Sequence, residues 1–171
     1  NIRVLLTAAH CIRETNGTWA TNVIFVQAYA DGKGTRHTIK CMKTVKNWVS
    51  PGSANYEWDY AFVRTDKPGN GSIGISFQLS ASSWTAIGYP NNYESAKFMQ
   101  RVDGTKGQVG GGVVEMKGNG MRSGNSGGAW IAGSSIVGLN SFHKTGNTTD
   151  EWSPNFNYAT RSLYESAVAG C

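Results

Sequence analysis

Glycine spread along a chain that carries few charges is the feature that most restricts its fold. The chain of 171 residues has 22 glycines, and only 16% of its residues are Asp, Glu, Lys or Arg. An average domain is ~25% charged, and helical bundles are rich in Glu, Lys, Ala and Leu. The composition therefore favours short strands joined by many turns. Hydrophobic residues make up 39%, enough for the packed core of one domain or two small barrels.

The net charge of +5 is spread thinly over the chain. Its densest cluster is Lys40, Lys43 and Lys46, which lie among apolar residues and predict a solvated edge. A nucleic-acid surface needs more Lys and Arg interleaved with exposed aromatic residues. The sequence also has no run of about 18 apolar residues. We therefore expect neither a nucleic-acid partner nor a membrane.

Segments rich in β-branched and aromatic residues, bounded by Gly, Asn and Pro, predict strands. The first group is 4–7, 22–29, 36–45 and 60–64. The second group is 84–88, 98–102, 107–114, 128–131, 136–141 and 157–160. Residues 66–71 are the best candidate linker, and 161–169 predict one helix that Gly170 can end. We expect Trp84 and Trp130 in the core of the second group.

Three cysteines, at positions 11, 41 and 171, allow three different pairings. The sequence does not choose between them, and one thiol lacks an internal partner if the other two pair. No C-x-x-C spacing occurs, which argues against a structural zinc site.

Two segments carry side chains suited to acid–base chemistry. His10 ends a predicted strand, after small residues that allow close backbone packing. Asp59 opens an alternating strand between aromatic residues, where a shielded carboxylate could orient a histidine. Taken singly, each also fits a structural role, as a packed histidine or a turn aspartate.

A third segment, residues 124–128, places Ser126 among three glycines. Such a turn exposes a nucleophile, and unhindered glycine backbones let N–H groups converge. The N–H groups of Gly124 and Ser126 could stabilise the oxyanion formed when the serine attacks a carbonyl.

These residues occur in the order His, Asp, Ser, with separations of 49 and 67 positions. The blocks Thr-Ala-Ala-His-Cys (7–11), Asp-Tyr-Ala-Phe (59–62) and Gly-Asn-Ser-Gly-Gly (124–128) resemble the signature blocks of chymotrypsin-fold serine peptidases. The resemblance implies an all-β fold of two antiparallel barrels with a short C-terminal helix. It implies a first barrel in residues 1–70, a second barrel with the helix in 71–171, and an active site in the cleft between them.

Two details resemble the glutamyl-endopeptidase-like branch of that family, which is secreted. One is Gly-Tyr-Pro at 88–90, and the other is Asn125 before the nucleophile. Trypsin-type enzymes carry an aspartate there, which pairs with a new N-terminal ammonium on activation. Because asparagine is uncharged, that switch cannot operate in this chain.

The resemblance implies a secreted serine endopeptidase that hydrolyses polypeptides through an acyl-enzyme. Ser126 is the implied nucleophile, His10 the general base, and Asp59 the residue that orients the imidazole. Gly124 and Ser126 form the implied oxyanion hole, and no metal or cofactor is needed. The alternative is a catalytically inactive binding protein on the same fold.

The resemblance also places the primary specificity pocket between two short segments. One wall consists of Gly120, Met121 and Arg122, and the other of Asn140, Ser141, Phe142 and His143. Neither wall contains an acidic residue, which disfavours cleavage after Arg or Lys. Glutamyl endopeptidases have a histidine where this chain has Asn140, while Arg122 and His143 are candidates to hold a substrate carboxylate. Preferences for glutamate and for a medium apolar or polar side chain both stay open.

Compared with the family, the first barrel is expected to lack its N-terminal strands, because the histidine block comes early in the chain. The usual partner of Cys11 belongs to that stretch. A separate N-terminal segment or chain is therefore a possible partner, and without it the first barrel has an open edge.

Overall fold

A computed structural model of this chain describes residues 3–171, which form two β-sheets and one α-helix. The first sheet contains β1 (Val4–Thr7), β2 (Ile24–Ala30), β3 (Lys33–Thr44) and β4 (Ala61–Thr65). The second contains β5 (Gly74–Ile75), β6 (Ser83–Gly88), β7 (Gln100–Gly110), β8 (Val113–Lys117), β9 (Ala129–Ala132), β10 (Ser135–Leu139) and β11 (Asp150–Pro154). The helix α1 spans Tyr158–Ala169. The predicted all-β class with one C-terminal helix is confirmed.

The first sheet has the strand order β1-β4-β3-β2, and all its pairings are antiparallel. Strands β2 and β3 are joined by Asp31 and Gly32, which have φ angles of 45° and 82°. Two consecutive residues with positive φ give the turn that matches the twist of a hairpin. In the described residues this sheet is an open half-barrel, with β1 and β2 at its edges.

The second sheet has the order β11-β8-β7-β6-β9-β10-β5, antiparallel except where β10 meets β5. The first sheet ends at Thr65 and the second begins at Gly74. The predicted boundary between residues 70 and 71 lies in the segment that joins them.

Two predicted strands of the second sheet have the wrong bounds. Residues 98–102 and 107–114 were expected as separate strands, but β7 runs unbroken over Gln100–Gly110. The chain then turns at Gly111 and Gly112, whose φ angles are 57° and 73°, before β8 begins. Both glycines lay inside the predicted strand 107–114, where they were interpreted as strand residues.

The expected strand at 157–160 is also wrong, because these residues begin the helix. The Asn157 side chain accepts hydrogen bonds from the N–H groups of Ala159 and Thr160, while the Thr160 side chain accepts from the N–H of Asn157. This reciprocal capping starts a helix firmly. The prediction missed β11, since Asp-Glu-Trp-Ser-Pro contains few of the residues that favour strands.

The helix follows the second sheet in sequence but packs on the first. The guanidinium of Arg64, on β4, donates to the carbonyls of Ala167 and Val168 at 3.1 and 2.9 Å. A disulfide joins Cys41, on β3, to Cys171, with 5.9 Å between the Cα atoms. This is one of the three pairings that the sequence allowed, and it leaves Cys11 as a free, exposed thiol.

The interior consists of a core in each sheet and a third cluster between the sheets. Trp84 and Trp130 stack at 5.4 Å in the second core, as predicted. Trp48 and Ile12 are buried in the first core. The cluster between the sheets joins residues of both, including Ala8, Tyr60, Leu139 and Phe156. This shared cluster fixes the end of β1 against the second sheet, where the candidate site lies.

Candidate active site

His10 lies on a single 3₁₀ turn, Ala9–Cys11, directly after β1. Ala8 and Ala9 are fully buried, so the backbone that carries the imidazole is packed on both sides. The His10 backbone N–H donates to Asp59 Oδ1 at 2.8 Å, and its ring Nδ1 lies 2.7 Å from Asp59 Oδ2. The histidine is thus held twice by one carboxylate.

Asp59 follows the 3₁₀ turn Tyr56–Trp58 and is completely buried. Besides the two groups of His10, its carboxylate accepts from the hydroxyl of Ser141 at 2.6 Å. A buried carboxylate is costly unless it is hydrogen-bonded, and three donors offset that cost here. The second sheet, through Ser141, therefore helps to position an aspartate of the first.

The pKa of His10 reflects two opposed effects. Burial lowers it, but the Asp59 carboxylate and the neighbouring Cys11 thiol outweigh burial and raise the pKa from 6.5 to about 10. The site thus favours the protonated imidazole. A group that must accept a proton from a serine and keep it briefly benefits from such stabilisation.

Ser126 lies on a turn whose backbone only glycine accommodates. Gly124 and Gly127 have φ angles of 100° and 82°. A Cβ atom on Gly128 would lie 2.1 Å from the carbonyl oxygen of Ile87. Within residues 3–171, the N–H groups of Gly124 and Ser126 donate to no protein acceptor. Both donors are therefore available to a ligand at this turn.

His10 and Ser126 line the same cleft, which has a volume of about 460 Å³. The described residues contain no hydrogen bond between the imidazole and the Ser126 hydroxyl. Catalytic hydrogen bonds are often long in the absence of substrate and tighten in the complex. Cys11 lies beside the same turn, with its sulfur 3.9 Å from the carbonyl oxygen of Ser126.

The residues predicted for the first pocket wall occupy different environments. Met121 is buried in the core of the second sheet, and neither it nor Gly120 lines the cleft. The Arg122 Nη1 atom lies 2.9 Å from Nδ1 of His143, which does line the cleft. The structure thus brings together the two residues suggested for binding a substrate carboxylate.

The residues predicted for the second pocket wall also lie in different environments. Asn140 is fully buried, and its side-chain oxygen accepts from the indole N–H of Trp130 at 2.7 Å. Ser141 and Phe142 line the cleft. The Phe142 ring stacks on Tyr56 with 4.0 Å between centroids, so an aromatic pair from the segments before β4 and after β10 borders the site.

A buried carboxylate that the sequence analysis did not single out also lines the cleft. Glu151, on β11, is only 1% exposed. Its Oε2 accepts from the Asn125 side-chain amide at 3.0 Å and lies 2.7 Å from His143 Nε2. The imidazole of His143 and the carboxyl group of Glu151 are therefore in direct contact. Burial raises the pKa of Glu151, and the Glu151 carboxylate raises that of His143.

No protein-family model matches the sequence, and a search of curated proteins found no match. Solved structures do match over almost the whole chain. The protease Anisep from Arthrobacter nicotinovorans is 26% identical with a TM-score of 0.87, covering 99% of this chain and 85% of its own. The chain has the fold of the trypsin-like serine proteases. The predicted resemblance to that fold is confirmed.

Further structures have the same trypsin-like fold. A thermostable serine protease, AL20, from an extremophilic microorganism is 24% identical, with a TM-score of 0.87 and coverage of 99% and 86% of the two chains. A Glu endopeptidase is 19% identical, with a TM-score of 0.81 and coverage of 98% and 82%. An inactivated protease paralogue of the scabies mite is 15% identical, with a TM-score of 0.77 and coverage of 98% and 84%. The fold thus occurs with and without proteolytic activity.

Proposed function

We propose that this chain is a secreted serine endopeptidase that cleaves polypeptides through a Ser126–His10–Asp59 triad. The observation that carries the proposal is the buried Asp59 carboxylate, which holds both the backbone and the ring of His10. An aspartate with only a structural role does not need the imidazole ring nitrogen as a second partner. The fold shared with serine proteases supports the same conclusion.

In the proposed mechanism, the Ser126 hydroxyl attacks the peptide carbonyl while Nε2 of His10 takes its proton. Asp59 keeps the other ring nitrogen protonated and stabilises the imidazolium. The N–H groups of Gly124 and Ser126 bind the oxyanion. His10 then protonates the leaving amine, and water attacks the acyl-enzyme by the reverse proton path.

Labelling with a fluorophosphonate probe, together with hydrolysis of a denatured protein, tests this proposal. We expect the wild-type chain to be labelled at Ser126 and Ser126→Ala to lose both signals. The loss of turnover should be on the order of 10⁶-fold, as when a triad serine is removed. His10→Ala should also abolish labelling, because the serine then has no base. The matched control is Ser82→Ala, which should label normally. It removes an exposed hydroxyl at a position that is far in sequence from the residues of the cleft.

The alternative function is a catalytically inactive binding protein on this fold. The observation in its favour is that the Ser126 hydroxyl and His10 are not hydrogen-bonded, together with the likeness to an inactivated paralogue. A folded wild-type chain that neither takes the probe nor cleaves any peptide would establish this alternative. Labelling that depends on His10 would exclude it.

Side-chain specificity is tested by a peptide-library cleavage profile. His143, which Arg122 contacts at 2.9 Å, and Glu151 both line the cleft, so one carboxyl group of the protein already lies beside His143. We propose that either a glutamate or a medium apolar or polar side chain fits before the scissile bond. Cleavage mainly after Arg or Lys would contradict this proposal.

The open edges of the first sheet support a further part of the proposal, that a separate polypeptide segment completes the first barrel. A cavity of about 440 Å³ lies beside β1 and β2 and is lined mainly by apolar side chains, among them Val23, Phe25 and Ile39. Unpaired strand edges bind added strands readily. We expect an apolar dye to fluoresce in this cavity and to be displaced by the completing segment. Absence of dye binding to the folded chain would contradict the proposal.

Secretion is supported by the disulfide, because such bonds persist in oxidising compartments. No helix among residues 3–171 is both long and apolar enough to cross a membrane. Fractionation of a culture of the native source, probed with an antibody to this chain, tests the location. Recovery only in the cell lysate would contradict secretion.

A further inference from the structure

Glu151 is a buried acidic residue that the proposed mechanism does not use. It projects from β11, which pairs with β8, and places a carboxylate at the base of the cleft with 1% of the residue exposed. A carboxylate removed from water is costly, so its partners indicate what it stabilises. Its Oε2 accepts a hydrogen bond from the side-chain amide of Asn125, at 3.0 Å.

Asn125 lies between the two residues whose N–H groups are the proposed oxyanion donors. The residue is 3% exposed, and its carbonyl accepts from the N–H of Gly128 at 2.9 Å and from the Asn140 side chain at 3.3 Å. The Ser126 N–H belongs to the peptide group that carries this carbonyl. The side chain and the carbonyl of Asn125 are thus both fixed, and with them the peptide groups on either side.

Within the described residues, the N–H groups of Asn125, Gly127 and Gly128 are hydrogen-bonded to backbone carbonyls, but the N–H groups of the two proposed oxyanion donors are not, so the turn needs a further restraint there. Gly124, with a φ of 100°, has the conformational freedom of glycine, and residues 118–128 belong to no strand. Hydrogen bonds to a charged acceptor are about twice as strong as neutral ones. A buried carboxylate is therefore an effective anchor for the Asn125 amide.

A basic side chain, His143, contacts the Glu151 carboxylate on its other side. His143 Nε2 lies 2.7 Å from the same oxygen, Oε2, that accepts from Asn125. Arg122 in turn contacts His143 at 2.9 Å. The anchor is therefore built from β11 and the segment after β10, and it requires no charge from a chain terminus.

We propose that Glu151 is a positioning residue for the oxyanion hole, which it orders by holding the side chain of Asn125. The proposal rests on the proposed function, because it concerns the same reaction. It assigns the anchoring of this turn to a permanent internal contact, so the turn is in place as soon as the chain has folded. Glu151 acts through Asn125 and touches neither the nucleophile nor the base.

Three single variants test the contact. Asn125→Leu removes the donor at similar size, and Glu151→Met removes the acceptor at similar length. Glu151→Gln retains an acceptor and is the matched control. We expect Asn125→Leu and Glu151→Met each to lower kcat on the order of 10²-fold, the loss typical of one oxyanion donor, with KM changed less than about threefold. Glu151→Gln should stay within about tenfold of wild type.

The double variant Asn125→Leu/Glu151→Met decides whether the two residues act as one unit. If they do, its kcat equals that of the worse single variant, because the contact is already lost. Multiplication of the two losses would overturn the proposal. Equal losses in Glu151→Gln and Glu151→Met would also overturn it, since a retained hydrogen-bond acceptor would then give Asn125 no support.

A transition-state analogue separates positioning from a general structural role. The affinity for a peptide boronic acid should fall in parallel with kcat/KM, while the affinity for the cleaved product peptide stays unchanged. If Asn125→Leu or Glu151→Met does not fold, the donor–acceptor exchange Asn125→Asp/Glu151→Gln tests the same contact. It should recover kcat to within about tenfold of wild type, and failure to do so in a folded protein would contradict the proposal.

The activity of the wild-type chain distinguishes failure of the role proposed for Glu151 from failure of the proposed function. A wild-type chain that is active, with variants whose losses multiply, overturns only the role of Glu151. A wild-type chain that takes no probe and cleaves nothing overturns the proposed function and this role with it.

Discussion

The bridge between Cys41 and Cys171 should dominate the stability of the fold. The two cysteines are 130 positions apart, so the cross-link closes most of the chain into one loop. In the chain-entropy description, a loop of this length restricts the unfolded state by about 5 kcal/mol at 25 °C. Small domains are stable by only about 5–15 kcal/mol in total, so this contribution is a large share of the whole.

The contacts of the helix determine whether removal of the bridge changes the folded state or only the unfolded state. Arg64 caps the helix, and Lys43 donates to the Ser166 carbonyl at 2.9 Å, and neither contact involves the bridge. We therefore expect the folded structure to persist and the unfolded state to gain freedom. The urea midpoint should fall, while the helix signal below the transition stays the same.

Urea unfolding measures this effect with Cys11→Ser as the reference, because the free thiol could otherwise exchange with the bridge. The comparison is Cys11→Ser/Cys41→Ser/Cys171→Ser, and reduction of the reference protein is the independent control. A decrease in the free energy of unfolding of about 3–5 kcal/mol is expected. A decrease below about 1 kcal/mol would refute the view that the bridge acts by restricting the unfolded chain.

Three further predictions concern the site and its supports. The ratio kcat/KM should rise with pH with an inflection above pH 6.5, because Asp59 raises the pKa of His10 to about 10 and only the neutral ring accepts a proton. The same pKa shift stabilises the fold fully below pH 6.5, and this stabilisation is lost as the pH rises towards 10. An inflection at or below pH 6.5 in the pH–rate profile would contradict the prediction. Ser141→Ala should lower the free energy of unfolding by about 1–3 kcal/mol in urea, since Asp59 loses a buried donor, with an unchanged midpoint as the opposing result. Gly128→Ala should abolish folding or probe labelling, because its Cβ would lie 2.1 Å from the Ile87 carbonyl, whereas Gly110→Ala, with nothing within 4 Å, should leave both intact.

The fold class was predictable because its signals are local. Short runs of β-branched and aromatic residues between glycines gave most strands within a few positions, and β1 at its observed bounds. The turn at Gly111 and Gly112 was missed since glycine is compatible with both a strand and a turn. The helix start was missed because Asn157 and Thr160 act as a capping pair, while Tyr158 and Thr160 are residue types that also favour strands.

The residues brought to the cleft were predictable to different degrees. His10 and Ser126 each lie in a short block of small residues or glycines, and Asp59 lies between aromatic residues at the start of a strand, so the sequence alone predicts all three as candidates. Glu151 has no such block around it. Its burial depends on the pairing of β11 with β8, and its partners Asn125 and His143 lie on separate segments. Only the three-dimensional structure relates the three.

The single bridge also sets an order of events during biosynthesis. Cys41 leaves the ribosome long before Cys171, and in the meantime the nearest thiol is Cys11, only 30 positions away. Closing a shorter loop is entropically easier, so an oxidising compartment first favours the wrong pair. Where that pair forms, the native cross-link requires the Cys171 thiolate, which arrives 130 residues later, to attack Cys41 and release the Cys11 thiol. Yield in a heterologous host should therefore depend on a disulfide isomerase more than on a stronger oxidant.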